Sequence, residues 1–195
     1  MKIKLVTLFI ALVCPSLAHA AAGHGHDAGG GFVSGLSHPV LGLDHLLAMI
    51  SVGIVSAQMG GKAVWTVPAA FVGVMLAGGV MGMNGVPFFS VELGIALSVL
   101  VLGVAIAADK KLPVVLAMLA VGFFALFHGH AHGTEMPEVA QPALYAAGFV
   151  AGTALIHVGG VGIGLVSKSL AAGPQLLRYV GAGIAGMGLH IIITM

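Results

Sequence analysis

The sequence predicts an all-α polytopic membrane protein, a compact bundle of about six transmembrane helices that follows a cleavable signal peptide. The chain of 195 residues is 59% hydrophobic and only 7% charged, whereas a soluble domain carries about a quarter charged residues. Its apolar residues form continuous runs that are long enough to cross a bilayer, without the strict alternation of a membrane β-barrel. The net charge of +1 offers no basic cluster for nucleic acid, which we therefore do not expect as a partner.

The first 20 residues have the pattern of a secretory signal peptide. Lys2 and Lys4 form a basic start, LVTLFIALV is a short apolar stretch, and Ala18–Ala20 form a small-x-small cleavage signal. An uncleaved first helix is the alternative, but the apolar stretch is short for a span and Pro15 interrupts it. Cleavage would remove Cys14, the only cysteine, and would leave a mature chain without disulfides or thiolate metal ligands.

The mature chain divides into a short polar segment and one membrane domain. Residues 21–36 are rich in histidine and glycine and are expected to form an extracytoplasmic N-terminal segment. The domain, 37–195, contains six apolar segments of about 20 residues, which suffices to cross about 30 Å of hydrocarbon. These segments cover about 38–58, 63–82, 88–108, 112–131, 141–166 and 175–194.

The charges of the connections predict the orientation. A cleaved signal leaves the mature N-terminus outside the cytoplasm, so the first, third and fifth connections are cytoplasmic. All basic residues of the mature chain lie at these three connections: Lys62, Lys110, Lys111, Lys168 and Arg178. By the positive-inside rule, we expect a bacterial inner-membrane protein whose mature N-terminus and C-terminus are both periplasmic.

Glycine spacing predicts close packing between these helices. Small residues four positions apart let helix backbones approach each other in lipid. Three such pairs are Gly73–Ala77, Gly148–Gly152 and Gly181–Ala185.

Ionisable residues from four segments are predicted to meet at the periplasmic end of the bundle. His38 and His45 are seven residues apart, so a continuous helix that starts at Pro39 places them on one face, with Asp44 beside His45. In FHGHAHGTE, at the end of the fourth segment, the first and third histidines share a face and the second points elsewhere. The complete predicted set is His38, Asp44, His45, Glu92, His128, His130, His132, Glu135 and His190.

This residue chemistry indicates a site for a divalent transition metal. Burying carboxylates and imidazoles in a membrane is costly, and a bound dication offsets that cost. Imidazole and carboxylate ligands without thiolates suit nickel, cobalt or zinc.

Simpler roles stay open for some members of the set: His38 and His190 as interfacial residues, and Glu92 as a local hydrogen-bonding group. His157, deeper in the fifth segment, is either a packed polar residue or a later binding position, and methionines such as Met75 are interpreted as packing.

The two motifs HPVLGLDH and FHGHAHGTE, with a leader and about six spans, resemble the HupE/UreJ family of nickel and cobalt permeases, which are associated with hydrogenase and urease maturation. The resemblance covers essentially the whole mature chain. It implies that His38, Asp44, His45, His128, His130, His132 and Glu135 handle the metal, whereas Glu92, His157 and His190 lie outside the motifs. It also implies Ni²⁺ or Co²⁺ as the cargo and metallochaperones as partners. Because the sequence contains no nucleotide-binding motif, we expect a non-enzymatic secondary permease with no permanently bound cofactor.

Two other functions remain open on the residues alone. An intramembrane zinc-dependent hydrolase could use histidines and an aspartate to hold zinc and activate water. A bis-histidine haem protein would need facing histidines in an apolar pocket, and here carboxylates accompany them. The sequence leaves selectivity among nickel, cobalt and zinc open, and also whether the protein is a homo-oligomer.

Overall fold

A computed structural model describes residues 30–136 and 141–195, which form seven α-helices and no strand. The signal peptide predicted for residues 1–20 lies outside the described residues. The helices are α1 (Gly30–Leu41), α2 (Leu43–Met59), α3 (Ala63–Met83), α4 (Val91–Ala108), α5 (Val114–Thr134), α6 (Pro142–Ser169) and α7 (Gly173–Thr194).

The all-α membrane fold predicted from the sequence is confirmed. Helices α3 to α7 are each long and apolar enough to cross a bilayer, and α1 with α2 forms a sixth, bent candidate. The bounds of α3 to α7 agree with the last five apolar segments to within a few residues. Large apolar side chains such as Trp65, Leu119 and Tyr179 are exposed on the outside of the bundle, as lipid contact allows.

The first predicted span is not one continuous helix. Helices α1 and α2 meet at 85°, and Gly42 between them has an extended backbone. The prediction that His38 and His45 share one helical face is therefore wrong. Pro39 lies inside α1 rather than at a helix start, and it removes a backbone donor from the last turn of α1. Residues 30–37, which precede the first predicted span, are also helical.

The order of contacts with α6 identifies the bent pair as a broken span. Gly35 of α1 packs against the start of α6 near Tyr145, and Gly53 of α2 packs near its middle at His157. Further along, Ala57 near the end of α2 meets Gly164. Later residues of α1 and α2 thus contact later residues of α6. In a re-entrant pair, α2 would instead run back toward the start of α6. Helices α1 and α2 together therefore run the length of α6.

Helix α2 lies at the centre of the bundle. It contacts α3, α4 and α6 along its length, and every residue from Ala48 to Ala57 except Ile50 is buried. A helix that is apolar all round is typical of such a central position. Its first turn, which carries Asp44 and His45, is thereby held against the neighbouring helices.

Glycine contacts bring the other helices close together. Gly148 and Gly152 pack on α1, and Gly181 packs on α4, as their spacing predicts. Gly73 meets no neighbour within 4 Å, so the pair predicted in the second segment is wrong. The contact between α3 and α5 instead uses Gly78 and Gly82 of α3 with Gly129 and Gly133 of α5.

The lysines and the arginine of the described ranges lie at the end of the bundle where α2 and α4 finish. Lys168 Nζ donates to the Ala57 carbonyl oxygen at 2.5 Å, and Arg178 Nε donates to the Ala107 carbonyl oxygen at 2.8 Å. These carbonyls belong to the last turns of α2 and α4, where a helix lacks internal donors and favours a cation. The basic end is therefore opposite to the end that carries Asp44 and His45.

Candidate metal centre

A cavity of about 600 Å³ opens at the end of the bundle where α2 and α4 begin and α5 and α7 finish. No lysine or arginine is among the described residues that line it. Seven of the nine predicted metal-handling residues do line it: His38, Asp44, His45, Glu92, His130, His132 and Glu135. The residues that converge here come from α1, α2, α4 and α5, as well as from the residue that follows α5.

The outer part of the cavity holds a compact group of three donors. His38 Nε2 donates to Glu135 Oε2 at 3.1 Å, because a carboxylate oxygen can only accept. One potential metal-ligand atom from each of His38, His132 and Glu135 lies within 4.8 Å of the other two. In the described part of the chain, this is the group of three side chains close enough to share one metal ion.

Asp44 holds the ring of His45. Asp44 Oδ1 accepts the backbone N–H of His45 at 2.7 Å and the ring Nδ1–H at 2.9 Å. The proton on Nδ1 leaves a lone pair on His45 Nε2, which is buried and has no partner among the described residues. Gly42 makes room for this pair, since a Cβ there would come within 2.9 Å of Asp44 Oδ1 and 3.1 Å of His45 Nδ1.

Ser98 of α4 fixes the ring of His128 in a similar way. The Ser98 hydroxyl donates its one proton to the Ile95 carbonyl oxygen at 2.6 Å. It must therefore accept from His128 Nε2, which is 2.9 Å away. The lone pair of His128 is consequently on Nδ1, which is buried and unpartnered in the described structure. His128 does not line the cavity but lies fully buried beside it.

His132 connects the outer group with the deeper rings. Its ring centroid is 4.7 Å from that of His38 and 4.4 Å from that of His45. His45 in turn is 4.8 Å from His128. Neither ring nitrogen of His132 has a hydrogen-bond partner among the described residues, although the side chain is buried. The four imidazoles therefore form a continuous series from the cavity mouth into the bundle.

His130 points away from this series, as its spacing predicts. Its Nε2 donates to the Val86 carbonyl oxygen at 2.8 Å, in the connection between α3 and α4. Its ring stacks on Phe88 at 5.4 Å between centroids. One nitrogen of His130 is thus engaged in holding the wall of the cavity.

The remaining two predicted residues take different positions. Glu92 lies in the first turn of α4, exposed, and lines the cavity. His190 is exposed on α7 and does not line the cavity, although the neighbouring Ile191 does. The structure therefore brings Glu92 to the mouth of the cavity and leaves His190 outside it.

Several residues that contact the histidines escape prediction from the sequence. Ser98 is detectable as a hydroxyl inside an apolar segment, but nothing in the sequence pairs it with His128. The ring centroid of Phe71 lies 5.5 Å from that of His128, and the ring centroid of Phe149 lies 4.1 Å from that of His132. Aromatic residues in an apolar segment carry no signal of such contacts, because lipid-facing and buried aromatic residues look alike in a sequence.

The arrangement can bind a dication by its chemistry. Hydrogen bonds to Asp44 and Ser98 fix the rings of His45 and His128 so that a bare nitrogen remains on each, and such support from a carboxylate or hydroxyl is typical of metal-ligating histidines. Neutral imidazole nitrogens with carboxylates match the ligand preferences of nickel, cobalt and zinc.

Comparison with known proteins agrees with the motifs. A family model described as HupE / UreJ protein matches residues 7–191. The chain is 45% identical to Protein HupE of Rhizobium leguminosarum bv. viciae over 191 residues, which cover 97% of each chain. No solved structure matches the chain. The chain therefore belongs to the HupE/UreJ family.

Proposed function

We propose that this protein is a secondary permease that imports a divalent transition-metal cation, nickel or cobalt, across the bacterial inner membrane. The observation that carries the proposal is the series of imidazoles with unpartnered nitrogens that leads from the cavity into the bundle. An unsatisfied buried polar group is destabilising, so a row of them indicates a ligand. Membership of the family, which the motif resemblance associates with nickel and cobalt permeases, supports the choice of cargo.

Capture begins at the cavity mouth. The lining carries the carboxylates of Asp44, Glu92 and Glu135 and, among the described residues, no basic side chain. Such a mouth attracts a hydrated dication and repels anions. His38, His132 and Glu135 can replace part of the hydration shell, because their donor atoms lie within 4.8 Å of one another.

Transfer then proceeds to the deeper rings. The cation passes from His132 to His45, whose centroid is 4.4 Å away, and then toward His128. Asp44 supplies the negative charge nearest to His45. This charge offsets the cost of moving a dication out of water, so the position at His45 is the most favourable of the buried ones.

The orientation and the driving force follow from the two ends of the bundle. The basic end is cytoplasmic by the positive-inside rule, so the cavity opens to the periplasm and both mature termini lie there. An inside-negative potential drives a dication inward by about 4.6 kcal/mol per 100 mV, twice the value for one charge. The imported ion would supply hydrogenase or urease maturation through metallochaperones, as the resemblance to the family implies.

Uptake into proteoliposomes tests the proposal. Vesicles that contain the purified protein should accumulate radioactive nickel or cobalt, with zinc measured in parallel, and Asp44→Asn should abolish this uptake. The isosteric amide can no longer supply the charge, and a loss of about 10- to 100-fold is typical when such support of a ligating histidine is removed. The matched control is His190→Ala, a histidine on the exposed surface of α7, which should transport at the wild-type rate.

Two results would contradict the proposal. Wild-type vesicles that accumulate none of the three metals would refute transport, and wild-type uptake by Asp44→Asn would refute the site. Hydrolytic activity with a tightly retained zinc ion, together with no uptake, would instead support the zinc-dependent hydrolase.

A further inference from the structure

Within residues 30–136 and 141–195, His157 is the buried histidine that the two motifs do not include. It lies on α6 and is 2% exposed, and neither of its ring nitrogens has a hydrogen-bond partner in the described structure. Its backbone packs at Gly53, eight residues into α2 from His45, which is about 12 Å further along the helix axis. An imidazole with two unsatisfied nitrogens this deep in a bundle is costly, so a packing role explains it poorly.

One further donor lies one helical turn from His157, and it contacts a second donor on α3. Thr153 is four residues earlier on the same face of α6 and is fully buried, and its hydroxyl contacts Met75 Sδ at 3.9 Å. Phe71, four residues before Met75 on α3, contacts the ring of His157 at 5.2 Å. The opposed faces of α3 and α6 therefore bring an imidazole, a hydroxyl and a thioether to one region of the core.

This region adjoins the outer cluster, which consists of Asp44, Glu135 and the four imidazoles of His38, His132, His45 and His128. A small cavity of about 90 Å³ is lined by both His132 and Met75, together with Phe149 and Tyr145. On the other side, the Phe71 ring contacts both His128 and His157. Met75 and Thr153 therefore lie beside the outer cluster, with the backbone of Met75 against Gly129, and His157 is the next donor toward the basic end.

We propose that His157, with Thr153 and Met75, forms an inner binding position for a borderline transition-metal dication that has left the outer cluster. The inference rests on the proposed function. Imidazole and thioether ligands bind such a cation more tightly than they bind Mg²⁺ or Ca²⁺. The acidic residues of the described ranges all lie near helix ends, so the inner position has no countercharge. It binds weakly, which suits a site that must release its ion onward.

Replacing His157 by leucine tests this position in an assay of nickel uptake into proteoliposomes. His157→Leu should lower the uptake rate at least about tenfold, a loss of the size typical for a disrupted metal site, while nickel binding to the outer cluster, measured by equilibrium dialysis, stays unchanged. Its thermal stability should equal or exceed that of the wild type, since an apolar side chain removes unsatisfied polar atoms. His157→Met restores a donor and should transport faster than His157→Leu, and His190→Leu is the matched control.

Three outcomes would overturn the inference. These are wild-type uptake by His157→Leu, equal loss in the leucine and methionine variants, or loss of stability that matches the loss of uptake. If His157→Leu does not fold, Met75→Leu takes its place, since this near-isosteric change is well tolerated in cores; unchanged uptake in that variant would equally overturn it. Failure of the proposed function is distinct, because then the wild-type protein itself would not accumulate nickel.

Discussion

The two ends of the bundle carry polar groups in different ways. At the basic end, Lys168 and Arg178 donate to carbonyl oxygens in the last turns of α2 and α4. At the cavity end, hydrogen bonds to Asp44 and Ser98 engage one nitrogen each of His45 and His128 and leave the other bare. The first arrangement satisfies the helix ends, whereas the second leaves ligand atoms free.

This difference distinguishes residues that anchor the fold from residues that handle an ion. Groups that hydrogen-bond to the carbonyl oxygens of a helix end, such as Lys168, stabilise that end and leave no lone pair for a metal ion. Groups with an unpartnered buried nitrogen, such as His132, are destabilising until a ligand is bound. The comparison therefore predicts large transport effects at the cavity end and small ones at the basic end.

The largest effect in this comparison is expected for His132→Ala. His132 contacts both the outer group and His45, and neither of its nitrogens is engaged, so its loss should lower nickel uptake at least about tenfold. His130→Ala is the matched change on the same helix. His130→Ala should lower uptake less, because the His130 ring lies against Phe88 and Val86 and outside the series of imidazoles. An equal loss in the two variants would show that a place in this series does not matter for transport.

An intermediate effect is expected for Ser98→Ala. Without the hydroxyl, His128 Nε2–H loses its acceptor and the lone pair is no longer confined to Nδ1. The dissociation constant for nickel, measured by equilibrium dialysis on the purified protein, should rise about tenfold. Ser98→Thr keeps the hydroxyl and should bind nickel nearly as the wild type does. Unchanged affinity in Ser98→Ala would show that the orientation of His128 does not matter for binding.

The smallest effect is expected for Lys168→Met at the basic end. The variant keeps the aliphatic length but loses the donor to the Ala57 carbonyl oxygen, which is worth about 0.3–1 kcal/mol at a helix C-terminus. A slightly lower melting temperature with an unchanged nickel uptake rate is the expected result. A transport loss as large as that of His132→Ala would mean that the basic end takes part in handling the ion.

Much of the fold could be predicted because bilayer thickness restricts the possible elements. Apolar segments of about 20 residues match the thickness of the hydrocarbon core, and helices α3 to α7 begin and end close to the predicted bounds. The break at Gly42 escaped prediction. A proline is common in the first turn of a helix, so the sequence favours Pro39 as a helix start. In the structure Pro39 lies in the last turn of α1 instead.

The sequence by itself determined which residues lie at each end of the bundle. Position along a helix translates directly into depth, at about 1.5 Å per residue, so Asp44, His45 and the histidines of α5 had to lie near one membrane face. Only the tertiary structure decided which of them touch. Contacts such as Ser98 with His128 depend on how each helix is rotated about its axis and on which glycines let backbones meet. Those are properties of helix pairs, and no single segment of the sequence contains them.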